Sequence, residues 1–456
     1  MGAKYSRRIF LRLSGGLAGM LALSACTPST PSTPSLKKGA PSTATAQLVY
    51  QDWRTDYFSA LAQEMLEQFH ALHPNIQVFY TPDPPDLAEK MMGDFQAHSA
   101  PDVLAGCCEF FPVWAQKGFM MDLRPYVEAE LSSDDRRDWD EAQYHALRLQ
   151  EGTQFGLPKY HGALALYFNK DLFRGHGVPF PEKSWTHADY QSAMAAFSRD
   201  RSAPSSETVW GSMFDVSWDR IQVHVNGWGG RFVDPADPTK SRMGEPEALA
   251  AMQWLHDRIW EDHAMASRLD VRNLSVTEAF YRGRLAMVED GSWSLKTILE
   301  NADFDIGVTS FPAGPARRVT MATTDGFGIF KYTRYPEAAW ELLKFLISHQ
   351  YGRAMARAHL LQPARASLVD EWVATVREQY PGKAAEMDLF AFAEGHTKGY
   401  SVTPEIFENQ EVARNLATAA WEQMFTLGHA TASVMREVSA QIDQAHERGS
   451  EERVDA

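Results

Sequence analysis

One stretch near the middle of the chain decides the fold: Gly156-Leu157-Pro158, then Ala163-Leu164-Ala165-Leu166-Tyr167-Phe168, then Asn169-Lys170-Asp171-Leu172-Phe173. The glycine and the proline interrupt the segment that precedes them. The six residues from Ala163 are an unbroken apolar run, which predicts a short buried strand. The polar residues that follow predict a turn into a loop rich in glycine and proline. The break and the buried strand after it begin a new strand–helix section of the chain.

The same alternation of strands and helices occurs before this stretch. Residues 48–50 and 76–80 predict strands, separated by apolar residues at helical spacing from 57 to 69. A second helix is predicted over 86–97 and a short buried strand over 103–105. Strand–helix–strand alternation is typical of parallel sheets with helices on both faces. We therefore predict an α/β protein.

Further elements are predicted towards the C-terminus. Thr186 precedes a helical segment and is a favourable N-cap residue. Phe311-Pro312-Ala313-Gly314-Pro315 predicts a second crossover. The remaining predicted helices cover 245–262, 336–348 and most of 405–447, and the remaining predicted strands cover 285–289 and 306–309. More than 400 residues follow the N-terminal region, which is too long for one small core, so two lobes are expected.

The N-terminus has the pattern of an export signal. Ser6-Arg7-Arg8-Ile9-Phe10-Leu11 is followed by the uncharged stretch 13–25, which is too short to span a bilayer. The adjacent arginines resemble a twin-arginine signal; an ordinary secretory signal with an incidental arginine pair is the alternative. Residues 1–25 are therefore predicted to be a signal peptide.

A lipid anchor is predicted directly after the signal. Leu23-Ser24-Ala25-Cys26 resembles the lipobox of bacterial lipoproteins, in which the cysteine thiol carries a diacylglycerol. A chance cysteine near a cut site is the alternative. Residues 26–47 continue as a Pro/Ser/Thr-rich tether of the kind that stays extended. We expect Cys26 to hold the protein at the outer face of the cell membrane or in the periplasm.

Charge and cysteine content exclude several classes of function. The chain carries a net charge of −15, and removal of the four basic residues of the signal peptide lowers it to −19. This balance disfavours nucleic acid as a partner. Apart from Cys26, the cysteines are the adjacent pair Cys107 and Cys108, which excludes a disulfide framework. A vicinal disulfide, a metal site and plain cleft lining stay open for this pair; metal is the least favoured.

Motifs along the chain resemble, in order, those of the extracellular solute-binding proteins of the maltose-binding type, family 1. Gly156-Leu157-Pro158 and residues 166–173 resemble its "GLP" and "LYYNKDLF" motifs. The further matching motifs are Pro181 with Ser184-Trp185-Thr186, then Glu278-Ala279-Phe280, Gly283, Ala286-Met287 and Gly291-Ser292-Trp293, then 337–346, and then Gln362-Pro363-Ala364-Arg365. Each motif alone is weak; their shared order over the whole chain after the tether carries the resemblance.

The resemblance implies a two-lobe periplasmic-binding-protein-like fold of type II. Each lobe would be a mostly parallel sheet flanked by helices, with the ligand in the cleft between the lobes. Residues 48–157 and 312–362 would form the first lobe, and residues 158–311 and 363–456 the second. Such proteins close around their ligand by a hinge motion and deliver it to the permease of an ABC importer. The resemblance implies no catalysis, cofactor or metal, and we expect a monomer.

A sugar is the ligand that the resemblance and the candidate cleft residues favour. Sugars require flat aromatic rings against their C–H faces and planar polar groups for paired hydrogen bonds. We selected residues at strand ends expected to face the cleft and at positions that match ligand-binding regions of the family. The candidates are Trp53, Arg54, Cys108, Glu109, Tyr160, His161, Asp215, Trp218, Trp228, Trp293, Asp325 and Arg365. A structural role is the alternative for each of them.

Three other functions stay open. The first keeps the fold and changes the ligand to a polyamine, a phosphodiester, iron or a peptide-like solute. The second is a secreted carbohydrate-active enzyme using a carboxylate pair such as Glu109 and Asp215, although no nucleophile elbow, phosphate loop or zinc motif follows the signal region. The third is a binding protein that signals through a membrane receptor and does not import.

Overall fold

The structure, a computed structural model, describes residues 45–52, 55–81, 87–107, 110–197 and 208–454. The predicted signal peptide, Cys26 and the tether up to residue 44 lie outside the described residues. The first strand begins at Ala46, so it includes the last two residues of the predicted tether. Within the described ranges, no helix is long and apolar enough to cross a membrane.

The described residues alternate between strands and helices. The strands are β1 Ala46–Gln51, β2 Ile76–Thr81, β3 Val103–Gly106, β4 Leu157–Pro158, β5 Leu164–Asn169, β6 Met287–Gly291, β7 Ile306–Ser310, β8 Thr320–Met321, β9 Gly326–Ile329 and β10 Ser401–Val402. The α-helices are α1 Thr55–Leu72, α2 Leu87–Gln96, α3 Phe110–Gln116, α4 Arg124–Glu130, α5 Ser133–Arg137, α6 Glu141–Ala146, α7 Lys170–His176, α8 His187–Ala195, α9 Trp218–Gly227, α10 Pro246–Trp260, α11 Val276–Tyr281, α12 Leu295–Asn301, α13 Pro336–Leu346, α14 His349–His359, α15 Val369–Gln379, α16 Ala391–Lys398, α17 Gln410–Trp421 and α18 Met435–Val454.

The sheet of the first lobe has the strand order β2-β1-β3-β9-β4. Strand β1 pairs in parallel with β2 and β3, whereas β9 is antiparallel to both β3 and β4. The parallel half follows from the strand–helix–strand pattern of the first hundred residues. The antiparallel half arises because β9 enters this sheet on its return from the second lobe, so it runs against the strands already there.

The sheet of the second lobe has the order β6-β5-β7, and β5 is antiparallel to both of its neighbours. The two-lobe α/β fold is confirmed, but the strand directions correct the prediction of a mostly parallel sheet in each lobe. Strand β5 carries the chain away from the first lobe and β7 carries it back, so the two strands must run in opposite directions.

The apolar residues separate into clusters that follow the two sheets. One large cluster joins β1, β2 and β3 to α1, α13 and α14, and two others pack helices α8–α12 and α15–α18 on the two faces of the second sheet. All six residues of β5 are buried, as the unbroken apolar run predicts. The predicted lobe boundaries stay a prediction.

Polar side chains begin the helices that follow the crossover. The Asn169 side chain accepts hydrogen bonds from the backbone N–H groups of Asp171 and Leu172, so α7 starts directly after β5 where a loop was predicted. Thr186 caps α8 as predicted, and Asp189 completes a reciprocal capping box with it.

Three segments cross between the lobes side by side. The Lys159 N–H donates to the carbonyl of Asp325 at 3.0 Å, and the Thr323 N–H donates to the carbonyl of Gly162 at 2.7 Å. The third segment joins them through the bridge between Tyr160 and Pro363. Backbone pairing across all three segments makes this the hinge of the molecule.

Candidate functional site

The indole of Trp293 lies at the end of a strand of the second lobe, beside the hinge. It follows β6 in a short 3-10 turn and is half-buried. A Cβ at Gly291 would lie 2.2 Å from the ring, and one at Gly162 would lie 2.8 Å from it. Both positions must therefore be glycine for the ring to occupy this place. The arrangement leaves a flat aromatic surface, partly open to solvent, where the two lobes meet.

A buried guanidinium covers part of the same ring. Arg220, in the first turn of α9, is 5% exposed, and its Cζ lies 5.1 Å from the centroid of the Trp293 ring. Its two terminal nitrogens reach Asp219 at 3.0 Å and Asp290 at 3.3 Å. Asp290 also accepts a hydrogen bond from the hydroxyl of Thr277 at 2.6 Å. The guanidinium is thus held by carboxylates on two different elements.

Asp215 adds a third carboxylate to this cluster. Desolvation by the surrounding protein raises its pKa above the usual range; the Arg220 guanidinium opposes this shift, and the neighbouring acids Asp219 and Asp290 add to it. Together, these groups offer a stacking surface and several hydrogen-bond acceptors beside one donor.

A buried ion pair lies where β1 meets the hinge. The Lys159 ammonium pairs with Asp52, and both side chains are 0% exposed. The hydroxyl of Tyr50 donates to the second oxygen of Asp52 at 2.8 Å, and the ammonium lies 3.7 Å from the centroid of the Phe58 ring. The pair positions Asp52 immediately before residues 53–54, which lie outside the described residues.

Two histidines share one buried carboxylate near the hinge. Asp140 caps α6 in the first lobe, His161 lies in the outgoing crossing, and His396 lies on α16 of the second lobe. His161 Nε2 is 2.8 Å from one oxygen of Asp140, and His396 Nδ1 is 3.7 Å from the other. Burial opposes ionisation of Asp140, but the interactions with the two imidazoles outweigh it and hold its pKa far below the usual range.

The interaction of His396 with Asp140 predicts that the stability of the protein depends on pH. The interaction with Asp140 raises the pKa of His396 above its unfolded value. Its stabilising contribution is therefore fully present below about pH 6.5 and is lost as the pH rises through the folded pKa. We expect a higher melting temperature at pH 6 than at pH 8.5, with a smaller difference in His396→Gln. An equal difference in both proteins would exclude His396 as the source. The exposed His145, changed to Gln, is the matched control.

Two predicted tryptophans lie away from Trp293. Trp218 is 4% exposed, donates from its indole nitrogen to the carbonyl of Glu405 at 3.0 Å, and packs edge-on against Trp421. It packs in the core of the second lobe, and its assignment to the ligand site stays a prediction. Trp228 is half-buried against His187 at the far end of α9, about 15 Å along the helix axis from its first turn. Its role as a ligand contact stays a prediction.

Three further predicted residues support the hinge region. Arg365 is 5% exposed, and its guanidinium lies over Trp139 at 4.8 Å with Asp138 at 3.5 Å; its assignment as a ligand contact stays a prediction. Tyr160 is buried in the first-lobe core, and Asp325 is buried in the return crossing. Of the described candidates, Asp215 and Trp293 both interact with Arg220, and their role as ligand contacts stays a prediction.

Some predicted residues lie outside the described part of the chain. These are Trp53, Arg54, Cys108 and Glu109, so the first-lobe half of the site stays a prediction. Cys107 is buried at the end of β3. No group of three or more metal-ligating side chains occurs among the described residues.

Sequence reasoning missed Asp52, Asp219, Arg220 and Asp290. Signals for two of them were present: Asp52 follows an apolar strand, and Asp290 directly precedes the Gly-Ser-Trp motif. Two α/β lobes, a paired hinge and a polar aromatic cluster beside it define the class of the protein, a two-lobed solute-binding protein. The chain belongs to the bacterial extracellular solute-binding proteins, whose family model matches residues 52–353.

Individual relatives are distant. An uncharacterized lipoprotein of Streptomyces antibioticus is 24% identical over 60% of this chain, and the maltodextrin-binding protein of Bacillus subtilis is 22% identical over 55% of it. The matches span 61% and 58% of the lengths of these two relatives. An ABC substrate-binding protein of Listeria monocytogenes in complex with cycloalternan superimposes with a TM-score of 0.75 at 20% identity, covering 89% of this chain and 99% of that one. The last similarity shows the shared fold.

Proposed function

We propose that the protein is the substrate-binding subunit of an ABC importer and that it captures an oligosaccharide in the cleft between its lobes. One observation carries this proposal: the half-buried ring of Trp293 lies beside Arg220, whose guanidinium pairs with Asp290 and interacts electrostatically with Asp215. An aromatic face with fixed polar groups around it matches the alternating C–H faces and hydroxyl rims of a sugar. Closure of the lobes would enclose the sugar and present the complex to the permease.

The chemistry of this cluster disfavours an anionic ligand. Three carboxylates surround one guanidinium, so the local charge is negative, and a phosphodiester would be repelled. Among the structurally similar proteins, relatives are described in complex with cycloalternan, acarbose and maltose, and one with glycerophosphocholine. The carboxylate cluster favours the saccharides within this set. Binding without catalysis, a lipid on Cys26 and a monomeric state complete the proposal.

Trp293→Ala is expected to weaken saccharide binding by about 10- to 100-fold, because loss of one stacked ring removes about 1.4–2.8 kcal/mol. Fluorescence titration of the purified chain with maltose, maltotetraose, acarbose and cycloalternan measures the change. Trp260→Ala is the matched control, since Trp260 is also half-buried in the second lobe but lies at the end of α10. Unchanged affinity in Trp293→Ala would exclude this ring as the stacking surface, and a wild type that binds none of the four would contradict the sugar proposal.

A further inference from the structure

The Trp293 ring contacts the hinge as well as its own lobe. It packs against the apolar cluster of the first lobe and also against a small cluster formed around Leu164, Phe311 and Met321 beside the crossings. The hydroxyl of Ser292 donates to the carbonyl of His161 at 3.2 Å, which ties the turn that carries the ring to the outgoing crossing. A group that stacks on this ring therefore acts on a side chain in contact with both lobes.

Gly162, in the outgoing crossing, lies against the ring. A Cβ at this position would lie 2.8 Å from Cε3 of Trp293, 2.7 Å from Oγ1 of Thr323 and 2.8 Å from Cγ2 of Thr323. Real Cβ atoms do not approach other heavy atoms this closely, so an alanine would displace the ring, the threonine or both. The backbone of Gly162 is not left-handed. The need for glycine here is therefore steric rather than conformational.

Hydrogen bonds fix the two crossings to each other at this point. The Gly162 N–H donates to Oγ1 of Thr323 at 3.2 Å, and the Thr323 N–H donates to the carbonyl of Gly162 at 2.7 Å. The side-chain amide of Gln143, which is 0% exposed, donates to the carbonyls of Tyr160 and Thr323 at 2.8 Å each. A Cβ at Gly162 would therefore displace the Trp293 ring more easily than either of the two crossings.

We propose that Gly162 is a positioning residue that sets the place of the Trp293 ring against the two crossings, so that stacking of a ligand on the ring is coupled to closure of the hinge. The coupling rests on the proposed function for its ligand. The position of the ring in the unliganded protein does not depend on the proposed function. Rotation of the lobes would change the position of the crossings relative to the second lobe, and the ring lies between the crossings and that lobe. The ligand that holds the ring in one place therefore favours one hinge angle.

Fluorine NMR of the purified chain labelled with 5-fluorotryptophan tests the ring position without ligand. The Trp293 resonance is identified by its absence in Trp293→Phe. In Gly162→Ala we expect this resonance to shift. We also expect affinity for whichever of the four saccharides the wild type binds to fall at least tenfold, with a smaller ligand-induced decrease in the radius of gyration by X-ray scattering. Gly244→Ala, a crowded glycine whose Cβ would lie 3.1 Å from Arg436 and Ser439, is the control.

A second variant keeps the test decisive if Gly162→Ala does not fold. Gly162→Ala combined with Thr323→Ala removes both threonine contacts and leaves the contact with the ring. If Gly162→Ala folds, the fluorine shift and the affinity of the double variant should lie between those of the wild type and of Gly162→Ala. If Gly162→Ala does not fold, the double variant should still differ from the wild type in both measurements. An unmoved Trp293 resonance with wild-type affinity and closure would overturn the inference. Failure of the wild type to bind any of the four saccharides would instead contradict the proposed function, and the fluorine shift would still decide the position of the ring.

Discussion

Lys159→Met is expected to lower the free energy of unfolding by about 3–5 kcal/mol, because it leaves the Asp52 carboxylate buried without its cation. Both side chains are 0% exposed, so water cannot replace the ammonium. The hydroxyl of Tyr50 satisfies one oxygen of Asp52 but does not balance its charge. The ammonium is also lost from the face of the Phe58 ring. Urea unfolding followed by circular dichroism measures the change.

The double variant Asp52→Asn with Lys159→Met separates charge burial from packing. Replacing both members of a buried pair by neutral groups of similar size is often close to neutral, so most of the lost stability should return. Arg353→Met is the matched control, since Arg353 and Glu371 form an exposed pair at 2.8 Å whose loss should cost less than about 1 kcal/mol. If Lys159→Met and Arg353→Met lowered the free energy of unfolding equally, burial would not explain the contribution of the Asp52–Lys159 pair to stability.

Local pattern was sufficient to predict the elements that carry the fold. The apolar run at 163–168 predicted a buried strand, and β5 occupies Leu164–Asn169. Thr186 was predicted to cap a helix and does so. Strand direction was not predictable in this way, because apolar spacing distinguishes buried from exposed faces but not the two directions of a strand. The reversal of β9 depends on the return of the chain from the second lobe, which no local window contains.

The site was only partly predictable for a related reason. Trp218 and Trp293 both stand near helix starts, and the contacts that place Trp218 in the core come from Trp421 and from Glu405, which lies 187 residues away. Asp52 and Lys159 are 107 residues apart. Lysine is rarely buried in proteins, because a charge without a partner in the core is unfavourable. The sequence alone does not identify Asp52 as the partner of Lys159. Burial of charge at this hinge is therefore a property of the assembled fold.

The guanidinium of Arg220 has a role in the fold that can be separated from its role in the site. Asp290 is 1% exposed, and it also accepts hydrogen bonds from the hydroxyl of Thr277 and from the Gly291 N–H at 2.8 Å. These donors do not cancel its charge. Removal of Arg220 would thus leave an unbalanced carboxylate in the wall of the cleft. It would also remove the group that lies against one side of the Trp293 ring.

Arg220→Met is therefore expected to lower the free energy of unfolding by about 3–5 kcal/mol and to abolish detectable saccharide binding. Adding Asp290→Asn should restore most of the stability, because the buried charge is then gone. Binding should not return, because the group that lies against the Trp293 ring is still missing. Urea unfolding and fluorescence titration of the same three proteins measure the two effects separately. If the double variant recovered binding together with stability, Arg220 would act on the ligand site only through the fold, and stacking on Trp293 would not require it.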